Sequence, residues 1–203
     1  MPTKVTEKVY LPHVEKELAA LLGKKVVAGP AAGGNGQLAA YAAANEFGAE
    51  ITPKNSTFLA IPVRPEAKER SPRDFELTPI FPKNGAPYLA KIEGESVTPY
   101  YILKKKVTIP ERSYLRSAFD KRDTQEKLIR ILKDGIKRLI AGTMTADDVM
   151  NALGASLAAS VKGQIASNVG PPNSSLTTAL KRGKSTTLVD EGHLVKSISW
   201  EVV

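Results

Sequence analysis

The sequence predicts an α+β domain spanning residues 1–203, in which a small, mainly antiparallel sheet packs against two long C-terminal helices, with a β-rich insertion at 55–108. Three observations predict it. Between Asn55 and Pro110 eight prolines cut the chain into short β-prone runs, and no long helix survives that density of missing N–H donors. Beyond Pro110 the apolar residues recur at helical spacing over two long stretches. At the C-terminus Ile198, Trp200 and Val202 alternate with Ser199 and Glu201, the period of a strand.

Taken in order, Pro12–Leu22 places Val14, Leu18, Leu21 and Leu22 on one helical face, with Pro12 in the first turn and Gly23 as the stop. Lys24–Ala28 is a short strand. The Gly/Ala-rich residues 29–36 are too small-sided to anchor a core and read as a loop. Gln37–Phe47 is rich in helix formers, carries Leu38, Tyr41 and Ala42 on one face and ends at Gly48.

Four β-prone runs follow, Phe58–Val63, Glu76–Phe81, Pro87–Ile92 and Tyr100–Ile109. Pro82-Lys83-Asn84-Gly85 reads as the turn joining the second to the third. Ser113–Phe119 starts a helix. Thr124–Ala141 makes another, with an apolar stripe of Leu128, Ile129, Leu132, Ile136, Leu139 and Ile140. Lys127, Arg130, Lys133, Lys137 and Arg138 lie largely outside that stripe, as a basic outer face.

Thr145 with Asp148 resembles a capping box, opening a helix towards Asn168 with Val149, Leu153, Leu157, Val161 and Ile165 at steps of four. A flank of Ala152, Ala155, Ala159 and Gly163 is small enough for close packing, against this chain or a second copy. Pro171-Pro172 ends that helix, Ser174 or Ser175 caps a further turn towards Leu180, and Lys181–Lys184 is a polar loop.

Composition limits the chemistry. With no cysteine and only His13 and His193, a disulfide framework, a zinc ribbon, a thiol nucleophile and a histidine-rich metal site are excluded. Hydrophobic residues at 42% and charged residues at 25% describe a chain that folds. The uncharged run from Val26 to Asn45 is broken by glycines and Pro30 and does not read as a membrane span; no secretory h-region is evident, so a cytosolic site of synthesis is expected. The net charge of +8 is evenly spread: residues 1–110 hold 15 basic and 11 acidic side chains, and residues 111–203 hold 14 and 10. That pattern lacks the concentrated stripe of a dedicated DNA reader.

Motifs with enzymatic associations are sparse. Gly34-Asn35-Gly36-Gln37-Leu38-Ala39 fits G-x-G-x-x-A, which in a dinucleotide site lets backbone approach a pyrophosphate, but Pro30–Gly33 separate it from the preceding strand and no βαβ alternation follows. A nucleotide-binding enzyme using the Gly34–Ala39 turn is one alternative function. A non-specific DNA-binding accessory protein, meeting phosphates through the basic helix and through Lys104-Lys105-Lys106, is another. Neither histidine has a nameable catalytic partner, and no cofactor or metal site is expected.

Three segments carry a resemblance. Ala42–Gly48 (AAANEFG), Ile109–Arg116 (IPERSYLR) and Leu188–Ile198 (LVDEGHLVKSI) resemble, in this order, the NEFG, IPxRxFL and LxDTGxLxxSI signatures of the neck and tail-completion family of tailed phages, related to the lambda tail completion protein Z and to virion morphogenesis proteins. The matching positions are Asn45, Glu46, Phe47, Gly48, Pro110, Arg112, Tyr114, Leu115, Asp190, Gly192, Leu194, Ser197 and Ile198, with Ser113-Tyr114 in place of Pro-Phe and Glu191 in place of Thr.

The resemblance covers 38–48 and 109–203. It implies a non-enzymatic structural virion protein of a long-tailed phage, assembled in the host cytoplasm as a hexameric ring between the head connector or head-closure protein and the tail tube or tail terminator. Genomic DNA would pass through that ring, and no membrane is involved. On this reading Asp190 caps the turn Glu191–Lys196, Tyr114 and Leu115 anchor the following helix in the core, and a strand edge in the insertion or at 197–203 recruits a neighbour. Residues 29–36 and the Pro-rich insertion are expected to order on contact with neighbours.

Overall fold

The structure, a computed structural model, describes residues 7–31, 36–181 and 185–203. It is α+β as expected, 47% helical and 21% strand, with small antiparallel sheets packed with helices. The chain divides into two compact units, one of residues 1–42, 113–169 and 191–203, the other of residues 43–112 and 170–190.

The first unit is built around the two long helices. Helix α1 (Glu7–Gly23) leads into strand β1 (Val26–Pro30) and helix α2 (Gly36–Phe47), whose residues from 43 on are counted with the second unit; later come α3 (Leu115–Asp120), α4 (Arg122–Ile140), α5 (Ala146–Ala166), α7 (His193–Ser197) and β8 (Ile198–Val202). β1 and β8 pair antiparallel, Val26 opposite Val202 and Pro30 opposite Ile198, and both strands lie on α5. Leu139, Ala146 and Val149 are its innermost cluster, packed by Leu18, Leu21, Leu132, Met144 and Leu153. Each such aliphatic side chain withdrawn from water contributes roughly 1.5–3 kcal/mol. Glycines set the closest approaches. A Cβ on Gly135 of α4 would stand 2.8 Å from a methyl of Val149 on α5, so α4 and α5 touch backbone to side chain there.

Thr145 caps α5 as its sequence predicts: its hydroxyl accepts from Asp148 N–H at 3.2 Å, and the Asp148 carboxylate accepts from Thr145 N–H at 2.9 Å. The same helix end is tied to α1, because Glu17 accepts from Ala146 N–H at 2.7 Å. Two free donors of the α5 N-terminus thus meet carboxylates, where the helix dipole favours negative charge.

The second unit holds a four-stranded antiparallel sheet in the order β3 (Leu59–Pro62), β6 (Ser96–Lys104), β5 (Tyr88–Glu93), β4 (Thr78–Ile80), together with the short pair β2 (Ala49–Ile51) and β7 (Val107–Ile109). Two 3-10 turns, Pro65–Ala67 and Pro72–Asp74, run between β3 and β4. The buried Tyr101 hydroxyl holds that connection by donating to Ala67 O (3.2 Å) and Arg70 O (3.0 Å). Phe75 packs against Tyr100 with ring centroids 5.1 Å apart and carries the Arg70 guanidinium on its face at 4.5 Å. Helix α6 (Ser175–Leu180) completes the unit, capped by Ser174, whose hydroxyl accepts from Thr177 N–H.

Several boundaries differ from the sequence reading. Pro12 is not a first-turn residue: α1 starts at Glu7 and contains it. β1 extends through Gly29 and Pro30, which take the first residues of the expected 29–36 loop; 32–35 lie outside the described residues. The Tyr100–Ile109 run is two strands, broken at Lys105-Lys106, so that β6 pairs within the four-stranded sheet while β7 pairs with β2. The expected Pro82–Gly85 turn does join β4 to β5, with Gly85 at φ +123°. The tighter hairpin is β5–β6, where Glu93 opposes Ser96 across a two-residue turn that begins with Gly94 at φ +59°. All four strands of the insertion's sheet pair with one another within the chain.

Lys181 lies in a turn just past α6, as its C-cap, but it is buried. Its buried ammonium donates to the carbonyls of Thr186, Thr187 and Val189 at 2.8, 3.1 and 2.8 Å, gathering the strandless segment after α6; 182–184 lie outside the described residues. Of the small flank on α5, Ala152 and Ala155 are half-buried, whereas Ala159 and Gly163 are exposed and a Cβ on Gly163 would meet nothing. Close packing falls instead on Gly154, beneath Trp200.

Candidate functional site

The first two motif segments meet in the second unit. α2 ends at Phe47, and Gly48 then turns the chain at φ +73°, a conformation that a side chain disfavours. The turn is packed as well as left-handed: a Cβ on Gly48 would stand 3.2 Å from both Ile109 O and Glu111 N. Directly alongside, Arg112 N–H donates to Asn45 O at 2.7 Å. β2 leaves Gly48 to pair with β7, Ala49 opposite Ile109, so Pro110 ends the strand just where the two segments cross.

Charged groups are enclosed at this crossing. Glu46 is 1% and Arg112 8% exposed. The Arg112 guanidinium donates to Pro171 O at 2.9 Å and Pro172 O at 3.4 Å, tying the segment after α5 to the same knot. Its fixed fork suits two adjacent carbonyls better than a lysine would. Phe47, by contrast, stands 66% exposed beside buried Asn45 and Glu46.

The third segment is divided between the units. Leu188 is buried and Asp190 pairs with Lys68 at 2.6 Å, both in the second unit. The N-cap of α7 is Gly192 at φ +81° with no side-chain cap, so the cap expected of Asp190 is replaced by a glycine turn. In the first unit Leu194 and Ile198 are buried, and Ser197 Oγ donates to Leu194 O at 2.8 Å while its carbonyl accepts from Ala31 N–H. Tyr114 is fully buried and Leu115 half-buried at the start of α3, as anchors of that helix.

Lys127, Arg130, Lys133, Lys137 and Arg138 are all exposed along α4. Arg138 is engaged with Asp134 at 2.9 Å one turn back. Between that face and the core, α3, α4, α5 and the start of β1 enclose an open cleft of about 570 Å³. Its lining includes Phe119, Leu128, Ile129, Leu132, Leu153 and Leu157, together with Lys24 and Lys25. Lys24 pairs with Asp147 at 2.8 Å; Phe119 and Ile129 are each half exposed. Sequence periodicity put Ile129 on the apolar stripe but gave no sign that the stripe is only partly covered.

Gly36 begins α2, while Gly34 and Asn35 lie outside the described residues. The strand before that turn, β1, has antiparallel β8 as its partner, not the parallel neighbour a dinucleotide-binding βαβ unit supplies. His193 lies exposed beside Glu191 at 3.0 Å. Among the described residues no cluster of three or more His, Cys, Asp or Glu could hold a metal ion, and no helix is long and apolar enough to cross a membrane. No family model, curated protein or solved structure matches the chain.

Proposed function

We propose that this chain is a structural virion protein of a long-tailed bacteriophage, a member of the neck and tail-completion family. Copies form a hexameric ring that joins the head connector or head-closure protein to the tail tube or tail terminator. The observation that carries the reading is the crossing of the first two motif segments. Residues more than sixty positions apart, from two segments that carry the resemblance, meet through Arg112 N–H to Asn45 O and through the packing of Gly48 against Ile109 and Glu111. Signatures of a shared fold are expected to mark such backbone-to-backbone junctions, where only one residue type fits.

Further support comes from the surface. Phe47, Phe81, Phe119 and Ile129 are half exposed or more, and exposed apolar groups of that size favour association. In the ring, the basic face of α4 would meet genome phosphates in the lumen or an acidic neighbour. Particles assembled without this chain are expected to accumulate as filled heads and separate tails. Electron microscopy of such lysates checks it, and complete infectious virions made without the chain would overturn the reading.

A further inference from the structure

Resting on that assembly reading, two surfaces, one on each unit, bear on how copies meet. The first is the tip of the β5–β6 hairpin. Ile92 and Val97 are directly opposed across the strands, so their side chains share one face, and they are 48% and 47% exposed. Beside them the tip carries Glu93 and Glu95, and residues 92–97 hold no base. The second is the cleft of the first unit, whose apolar lining includes Leu128, Ile129, Leu132 and Leu157 and whose charged lining groups, among the described residues, are Lys24 and Lys25.

We propose that the hairpin tip of one copy inserts into the cleft of the next, Ile92 and Val97 against its apolar lining and the glutamates facing Lys24 and Lys25. A two-residue hairpin is the narrowest protrusion a sheet can make, two strands about 4.8 Å apart, and an open cleft of about 570 Å³ admits its end. The charges agree in detail. Lys24 already pairs with Asp147 and Glu93 with Lys91, so the exposed Lys25 and Glu95 are the groups that select each other. Tip and cleft are different surfaces, so the contact is heterologous: every copy gives one and receives one, and a ring results when the rotation closes.

The chain has no cysteine, so disulfide trapping reads the contact directly. Full-length Val97→Cys and Ile129→Cys chains are mixed under mild oxidation and resolved on non-reducing gels. The heterodimer is expected to form on the order of tenfold faster than the pair of Ile129→Cys with Lys83→Cys, an exposed site on the other hairpin, because docking raises the local thiol concentration. Adding Glu95→Lys to the tip chain slows trapping by about fivefold, and Lys25→Glu on the cleft chain restores it.

Trapping no faster than the Lys83→Cys control overturns the contact. So does Ile129→Cys coupling chiefly to itself, which would mark a symmetric cleft-to-cleft pair. Sedimentation of the wild-type chain, run alongside, separates this failure from that of the ring: self-association without trapping sinks the contact alone.

Discussion

Gly154 on α5 lies so close beneath the indole of Trp200 that a Cβ there would stand 2.6 Å from the ring's Cγ. The indole is held in that position by its N–H, which donates to Asn151 Oδ1 at 3.3 Å one turn away on the same helix. A glycine in mid-helix costs about 1 kcal/mol against alanine. Here the loss permits the C-terminal strand to lie flat on α5.

Gly154→Ala therefore sets two terms against each other. The gain in helix propensity, about 1 kcal/mol, opposes an overpacking cost of about 1–3 kcal/mol as the ring is pushed off the helix. Net destabilisation is expected by thermal denaturation. Emission from Trp200, the only tryptophan, is expected to shift to the red as the indole gains solvent. An unshifted spectrum with unchanged Tm would contradict the packing described.

Gly48→Ala and Gly94→Ala separate strain from crowding. Both glycines have positive φ, +73° and +59°, costing a side chain about 1–3 kcal/mol. Only at Gly48 does the added carbon also meet backbone, that of Ile109 and Glu111, while at Gly94 it meets nothing within 4 Å. Chemical denaturation is expected to rank Gly48→Ala as clearly the more damaging.

Acid tests the α5 cap. The Thr145 backbone N–H first, and its side-chain hydroxyl second, hold the Asp148 carboxyl below its ordinary value. A lowered folded pKa means the stabilisation is complete above the unfolded value, about 3.9, and is lost as pH falls through the folded one. The stability gap between wild type and Asp148→Asn is therefore expected to narrow between pH 5 and pH 2. Thr145→Ala is expected to cost about 1 kcal/mol at pH 7.

Alkali tests Tyr101. Burial raises its phenol above the ordinary value, with the Asp74 charge adding in the same direction. The unfolded phenol then loses its proton first, so stability is lost as pH rises beyond about 10. Tyr101→Phe removes both hydrogen bonds to the 65–70 turn at a cost of about 1 kcal/mol and is expected to flatten that alkaline fall in Tm.

What could be read from the residues follows from where the information is local. The Thr145–Asp148 box, the α4 periodicity and the alternation at 198–202 are each written within a few positions, and the cap, the helix and the strand formed as expected, although Ile129 and Ile140 of the α4 stripe are left about half exposed. Pro12 misled because a proline tolerated inside a helix looks, in sequence, like one that begins it. Lys181 read as part of a polar loop because its three carbonyl acceptors, 5, 6 and 8 residues further on, leave no mark in the periodicity. The cleft was invisible for a different reason: Ile129 and Leu139 have the same apolar signature, and only tertiary packing leaves one half exposed and the other fully covered.

The pairing of β1 with β8 has a consequence for biosynthesis. Strand 26–30 leaves the ribosome well before the strand that completes it, residues 198–202, and α3, α4 and α5 of the same unit are made in between. A nascent or interrupted polypeptide is therefore left with an unmatched N-terminal ribbon and an uncovered α5. Contacts of such wide sequence separation form late, so this part of the first unit closes only after residues 198–202 have been made.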